Sequence, residues 1–149
     1  MEEKKKTFFM EVGGRPLIEK VHKIFYDKIY ADPWIGKFFI SIDQKVIESQ
    51  QNDFMGQSFG GKSSYLGKLP IPAHKHMLIT EELFLLRTRL LTESLIEAKV
   101  SPEHIEIWLK VDGAFKNGIV KKSISDCVKR FVTDELECHE NPNIKKVSW

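Results

Sequence analysis

Three side chains could do chemistry together: His74, in the run Ala73-His74-Lys75-His76-Met77-Leu78-Ile79-Thr80, Gln51 and Tyr26. A neutral imidazole is a good ligand for a transition metal and leaves the opposite coordination position open. A phenol hydroxyl and a side-chain amide are hydrogen-bond donors. Placed near that open position, they could hold a small ligand that develops negative charge on its outer atom. Taken singly, each residue has a plainer use. A histidine after a proline-rich loop commonly sits at the surface, and His76 is equally available by type. Gln51 suits the edge of a core. Tyr26 suits a core with its hydroxyl near water, and Phe38 and Phe39 are ordinary core residues. Periodicity alone does not separate these readings.

The elements that must position them read as helices. Pro16 suits a first helical turn after Gly13-Gly14. From there Leu17, Val21, Ile24, Phe25 and Ile29 recur at helical spacing, and the helix ends near Asp32-Pro33. A short bend carries Trp34, Ile35, Phe38 and Phe39. Asp43 can cap the next helix, whose apolar face holds Ile47, Phe54 and Met55. Gln51 stands four residues from both Ile47 and Met55, so it shares that face. That helix stops at Gly60-Gly61. Gly67, Pro70 and Pro72 mark a loop, and a helical piece carrying His74 is expected only after Pro72. Thr80 can cap a segment whose first turn holds Glu81 and Glu82, with Leu83, Phe84, Leu86, Leu90, Leu91 and Leu95 as its buried face. Ser101-Pro102 opens a last main helix through Ile105, Trp108, Leu109, Phe115 and Ile119. No strand alternation and no internal repeat stand out, so the expected fold is all-α.

The chain has 149 residues, the size of one domain, and 42% hydrophobic residues can supply one core. Lysines and arginines number 23 against 21 acidic residues. That balance gives no reason to expect nucleic acid as a partner. No apolar stretch approaches the roughly 20 residues that span a bilayer, so no membrane segment is expected. Cys127 and Cys138 are too few for a disulfide framework and read as free thiols of a cytoplasmic protein.

Order and spacing together say more. Phe25-Tyr26, Phe38-Phe39, Gln51, Gly60-Gly61 and Tyr65-x-Gly67 are followed by His74, five residues before Ile79-Thr80. This sequence of features resembles the group 1 truncated haemoglobins, a short two-over-two form of the globin fold. Gly13-Gly14 matches the family's first glycine pair, and Gly60-Gly61 the second. The resemblance runs ungapped from about Gly13 to Ile79 and more loosely to about Val120.

The resemblance implies a two-over-two helical sandwich around haem b, with a C-terminal extension. His74 matches the proximal ligand of the iron. Tyr26 and Gln51 match the polar residues that donate to the bound ligand. Phe39 matches the phenylalanine wedged against the haem face. Ile47 stands where many globins place a distal histidine. Isoleucine cannot donate, so that role falls on Tyr26 and Gln51. Phe54, Met55, Ile79 and Phe84 match pocket-lining positions. Met55 replaces an aromatic often found there, which would alter ligand access. Tyr65 also joins the cofactor set, and with Lys75, His76 and Gln50 it is a candidate for propionate contact.

Residues 1–122 are therefore expected to form the globin unit. Residues 123–149 would be an extension, helical to about 137, packed on the globin or on a second copy. All the pocket residues named lie before Gly118, so the pocket is expected not to need the extension. The implied function is reversible binding of dioxygen and of other diatomics such as nitric oxide or carbon monoxide, as in storage or transport. The alternatives are a nitric oxide dioxygenase, which would need an external reductase, and a ligand sensor. Either a monomer or a dimer formed through the extension is compatible with this reading.

Overall fold

Side-chain oxygens at Thr7, Asp43, Thr80 and Ser101 set four of the helix starts. The computed structural model describes residues 7–61, 67 and 69–142. Thr7 accepts from Met10 N and opens a short helix, α1 (Phe8–Val12), which the sequence reading did not anticipate. The Gly13-Gly14 corner leads into α2 (Gly14–Ala31). Asp32 ends α2 in extended backbone before Pro33. Its carboxylate accepts from Trp34 N (2.8 Å) and Ile35 N (2.9 Å), turning the chain into the 3-10 turn Ile35–Phe39. Asp43 caps α3 (Gln44–Ser58) through Val46 N. A five-residue helix, α4 (Pro70–His74), carries the candidate ligand at its last position. Thr80 caps α5 (Glu81–Glu97), and Ser101, followed by Pro102, caps α6 (Pro102–Asp112). Asp43, Thr80 and Ser101 are the caps read from sequence.

Packing follows from the stripes. On α2, Ile18, Val21, Phe25 and Ile29 are all at most 1% exposed. They lie against α3 on one side and α5 on the other, and α5 packs in turn on α6. Each such side chain contributes roughly 1.5–3 kcal/mol when fully buried, so this layer of contacts dominates the fold's stability. The result is an all-helical two-over-two arrangement.

Two glycines permit close approaches. Gly60 has φ +94°, and a Cβ there would lie 3.0 Å from Thr7 Cβ. It ends α3 where Phe9 N donates to Phe59 O, which ties α1 to the end of α3. Gly118 lets α7 (Lys116–Ile119) sit against α4, because any Cβ there would run into the Ile71 side chain. Gly60→Ala is expected to cost about 1–3 kcal/mol, from the positive φ and the contact with Thr7 together. A lowered urea midpoint at unchanged slope would show it.

Two expectations about the C-terminal third are corrected. The last main helix does not run through Ile119. Gly113 caps α6 through its N–H to Leu109 O, and a 3-10 turn, Gly113–Phe115, intervenes before α7. The helix expected in the extension, to about residue 137, is also not formed. Beyond the 3-10 turn Ile124–Asp126, the chain is irregular as far as Pro142. Its backbone groups pair with the loop after α4 instead: Val128 N donates to Lys75 O (2.8 Å), Glu137 N to His76 O (2.9 Å), and Leu78 N to Glu137 O (2.8 Å). A helix would have consumed those groups internally.

Candidate functional site

The first turns of α3, the middle of α2, the 3-10 turn Ile35–Phe39, α4, α5 and the α6–α7 corner enclose a cavity of about 550 Å³. Its wall is mostly apolar, with a few polar groups. That combination is characteristic of a small-molecule or cofactor site. Of the residues anticipated from sequence, Tyr26, Phe39, Ile47, Gln51, His74, Ile79 and Phe84 all line it, as does Gln50. Phe54 and Met55 do not. One turn beyond Gln51, α3 has closed on α2, and Met55 is sealed into the core at 1% exposure. The Phe54 ring lies 6.0 Å from that of Phe115. Tyr65 lies outside the described residues.

His74 ends α4 with its Nδ1 2.5 Å from Pro70 O. A carbonyl only accepts, so Nδ1 carries the proton and Nε2 keeps its lone pair. Burial, above all, lowers the pKa of the ring and favours the neutral form a metal requires. The carbonyl of His74 is itself held by Lys121 Nζ at 3.0 Å. His76 is different. It is 4% exposed, does not line the cavity, and its Nδ1 has no hydrogen-bond partner among the described residues.

Tyr26 is 5% exposed, and burial is the main cause raising its phenol pKa, so it remains a protonated donor. Phe39 stands between two tyrosines, its ring 6.1 Å from that of Tyr26 and 5.5 Å from that of Tyr30. The Tyr30 hydroxyl is spent on Ile42 O at 2.8 Å, which fixes the chain after the 3-10 turn. Neither the Tyr26 hydroxyl nor the Gln51 amide has a protein hydrogen-bond partner among the described residues, and both line the cavity. Both donors are thus left unengaged by the described residues.

Sequence reasoning missed three charged groups in the wall. Arg87 forks onto Asp112 with Nη1–Oδ2 2.6 Å and Nη2–Oδ1 3.0 Å, tying α5 to α6. Its guanidinium also lies over the rings of Phe25 (5.3 Å) and Phe84 (6.0 Å). Such planar pairing keeps a half-buried cation matched. The third group is Arg130, from the C-terminal segment, which braces on Asp134 through Nε (2.9 Å) and Nη2 (3.0 Å). The first two had a signal. Arg87 stands four residues from Leu83 and Leu91, and Asp112 four from Trp108, so both are charges written into apolar stripes.

A neutral imidazole with a free Nε2, an apolar wall for a flat ring and two unspent donors suit a haem. Comparison with known proteins agrees. The family model described as bacterial-like globin matches residues 7–120. A group 1 truncated hemoglobin of Chlamydomonas moewusii is 32% identical over 116 residues, covering 76% of this chain and 68% of that protein. Another, from Tetrahymena thermophila, is 31% identical and covers 72% and 89%. The Fe(III) crystal structure of truncated hemoglobin from Tetrahymena pyriformis superposes with a TM-score of 0.73 at 28% identity, over 78% of this chain and all of that one. A group II truncated hemoglobin from Bacillus anthracis, at 17% identity, shares the fold over 95% of this chain with a TM-score of 0.72. With the glycine corners, the His74 helix and the two-over-two packing already in place, these matches make the chain a member of the bacterial-like globin family, a group 1 truncated haemoglobin that binds ligand through haem.

Proposed function

We propose that this globin binds dioxygen reversibly at a haem b held by His74 Nε2, and that Tyr26 and Gln51 govern how long the ligand stays. The haem supplies the iron to which a diatomic ligand attaches. The protein supplies the rest. The Pro70 carbonyl fixes the His74 tautomer, Phe39 and Ile47 exclude water, and Tyr26 Oη and Gln51 Nε2 donate to the ligand.

The observation that carries this reading is the pair of donors in the His74 cavity that have no protein partner among the described residues. A ligand that accepts from either donor gains a hydrogen bond worth roughly 0.5–1.5 kcal/mol, so it is held more tightly. Relatives support it. The Tetrahymena pyriformis protein was crystallised with a tyrosine changed to phenylalanine and with each of two glutamines changed to glutamate. That tyrosine and the later glutamine have the same separation as Tyr26 and Gln51, and the earlier glutamine falls where Ile47 stands.

Tyr26→Phe removes the hydroxyl at nearly constant volume. Dioxygen dissociation is expected to speed up about tenfold or more, since ~1.4 kcal/mol is a factor of ten. Carbon monoxide, less polar when bound, should change less. Equal changes would assign Tyr26 to access rather than hydrogen bonding, and no change would remove it from the site. Nitric oxide consumed under dioxygen with an added reductant would shift the reading to a dioxygenase served by an outside electron donor.

A further inference from the structure

The family match ends at residue 120, yet the wall of the cavity does not. Arg130 lines it from a segment that the sequence reading treated as dispensable. We propose that residues 127–139 are a working part of the haem site: a strap that pins the backbone around His74 and presents Arg130 to a carboxylate of the tetrapyrrole. This rests on the haem reading above.

The strap is anchored at both ends and along its course. Val128 N holds Lys75 O, the carbonyl next to His74, at 2.8 Å. Glu137 then straddles the loop, donating to His76 O (2.9 Å) and accepting from Leu78 N (2.8 Å), so Met77 and Glu137 run as a parallel bridge. On the loop's other edge, Lys121 N donates to Ile79 O at 2.8 Å and Lys121 Nζ holds His74 O. The loop after the ligand is therefore pinned on two sides. Past Glu137, the backbone carbonyl of His139 accepts from Trp34 Nε1 at 2.8 Å, and the His139 ring packs edge-on at 4.6 Å against Phe38, which is itself part of the cavity wall.

Arg130 is held ready on this strap. Asp134 takes two of its guanidinium nitrogens and also accepts from Arg130 N (3.0 Å) and Glu135 N (3.1 Å). That carboxylate is saturated by four donors, and Arg130 chiefly is what pulls its pKa down. Nη1 of Arg130 has no partner among the described residues. Nearby, Lys121 pairs with no carboxylate among them and bonds only backbone oxygens. Glu137 also acts on Arg130 and Asp126 on Lys121, so what Arg130 offers a ligand is its free Nη1 rather than a local excess of positive charge. A tetrapyrrole is apolar in its ring and acidic at one edge. An oriented guanidinium with a free N–H in an otherwise mostly apolar wall is a fitting recognition element for that edge.

The test uses the full chain loaded with haem or with haem dimethyl ester, which lacks the free carboxylates. Release to excess apomyoglobin is followed for wild type, Arg130→Gln and Arg130→Lys. Arg130→Gln is expected to release haem about tenfold faster, as loss of one charge-assisted hydrogen bond implies, with Arg130→Lys between. The diester should leave wild type and Arg130→Gln at the same rate. Equal acceleration for haem and diester, or none for haem, overturns the carboxylate role.

The strap has its own readouts. In the haem-free and loaded full chain, the amides of Leu78, Val128 and Glu137 should resist hydrogen exchange. Val128→Pro, which deletes the N–H to Lys75 O, should shift the ferrous iron–histidine stretching band and speed haem release, while Val128→Ala should do neither. An unshifted band in Val128→Pro, or unprotected amides, overturns the strap. A wild-type chain with no Soret band would overturn the haem reading itself, which is a different failure.

Discussion

His74→Ala is expected to abolish the haem spectrum at low imidazole, while His76→Ala leaves it intact. Only His74 lines the cavity, and only its Nε2 is left free by a defined partner on Nδ1. His76 is buried beside it, lies off the cavity wall, and has no partner for its Nδ1 among the described residues. Loss of groups that merely orient a metal ligand commonly costs 10–100-fold in affinity, so loss of the ligand itself should exceed about 100-fold. Added imidazole should restore a Soret band to His74→Ala, because the hole it leaves is shaped for that ring. Rescue separates a missing ligand from a failed fold. A normal ferrous spectrum in His74→Ala together with its loss in His76→Ala would reverse the assignment.

How much of this was legible in the sequence depended on how local the physics was. Caps are local, and Asp43, Thr80 and Ser101 each accept the backbone N–H three residues on. Stripes are local too, and they brought Tyr26, Ile47, Gln51 and Phe84 to one cavity. A stripe cannot say where a neighbouring helix closes over it. Met55 shares a face with Gln51, yet it meets α2 rather than the cavity. Arg87 and Asp112 could have been found, as charges interrupting apolar periods. Arg130 could not, since nothing near it in sequence reports that residues 127–139 lie on the His74 loop.

The extension shows the same limit more sharply. Ile124, Cys127, Val128, Phe131 and Val132 make a plausible helical stripe. In the structure Val128 is 57%, Phe131 54% and Val132 92% exposed. The segment is fixed by backbone pairing to a distant loop and by the Arg130–Asp134 brace, and neither leaves a periodic trace. Truncation after Lys122, expected from sequence to spare the pocket, would remove Arg130 from the wall and two hydrogen-bonding partners from the His74 loop.

His22 was also missed, and it makes the protein acid-sensitive in a predictable direction. It lies one turn before Tyr26, is 1% exposed, and donates from Nδ1 to Asn52 Oδ1 at 2.6 Å. Asn52 adjoins Gln51, so this buried pair joins the two helices that carry the cavity-lining donors Tyr26 and Gln51. The indole of Trp108 packs edge-on to the imidazole at 6.0 Å. Burial dominates, with the Asn52 contact opposing it, and the pKa falls from the ordinary 6.5 to about 4. Between those values the unfolded chain holds a proton on this residue that the folded chain refuses. Stability from this residue is therefore present above about pH 6.5 and is lost as pH falls toward 4, at up to ~1.4 kcal/mol per unit and about 3 kcal/mol in all. His22→Gln cannot titrate. It should be less stable than wild type at pH 7, by about 1–2 kcal/mol for the altered packing and hydrogen bond. Urea unfolding of the two loaded proteins at pH 7 and pH 4.5 should show that gap closing or inverting in acid. Taking the difference between them at each pH cancels the contributions that other groups and the haem make equally. A gap that stays constant across the two pH values would mean that the folded and unfolded chains take up the His22 proton alike, so that burial does not depress its pKa.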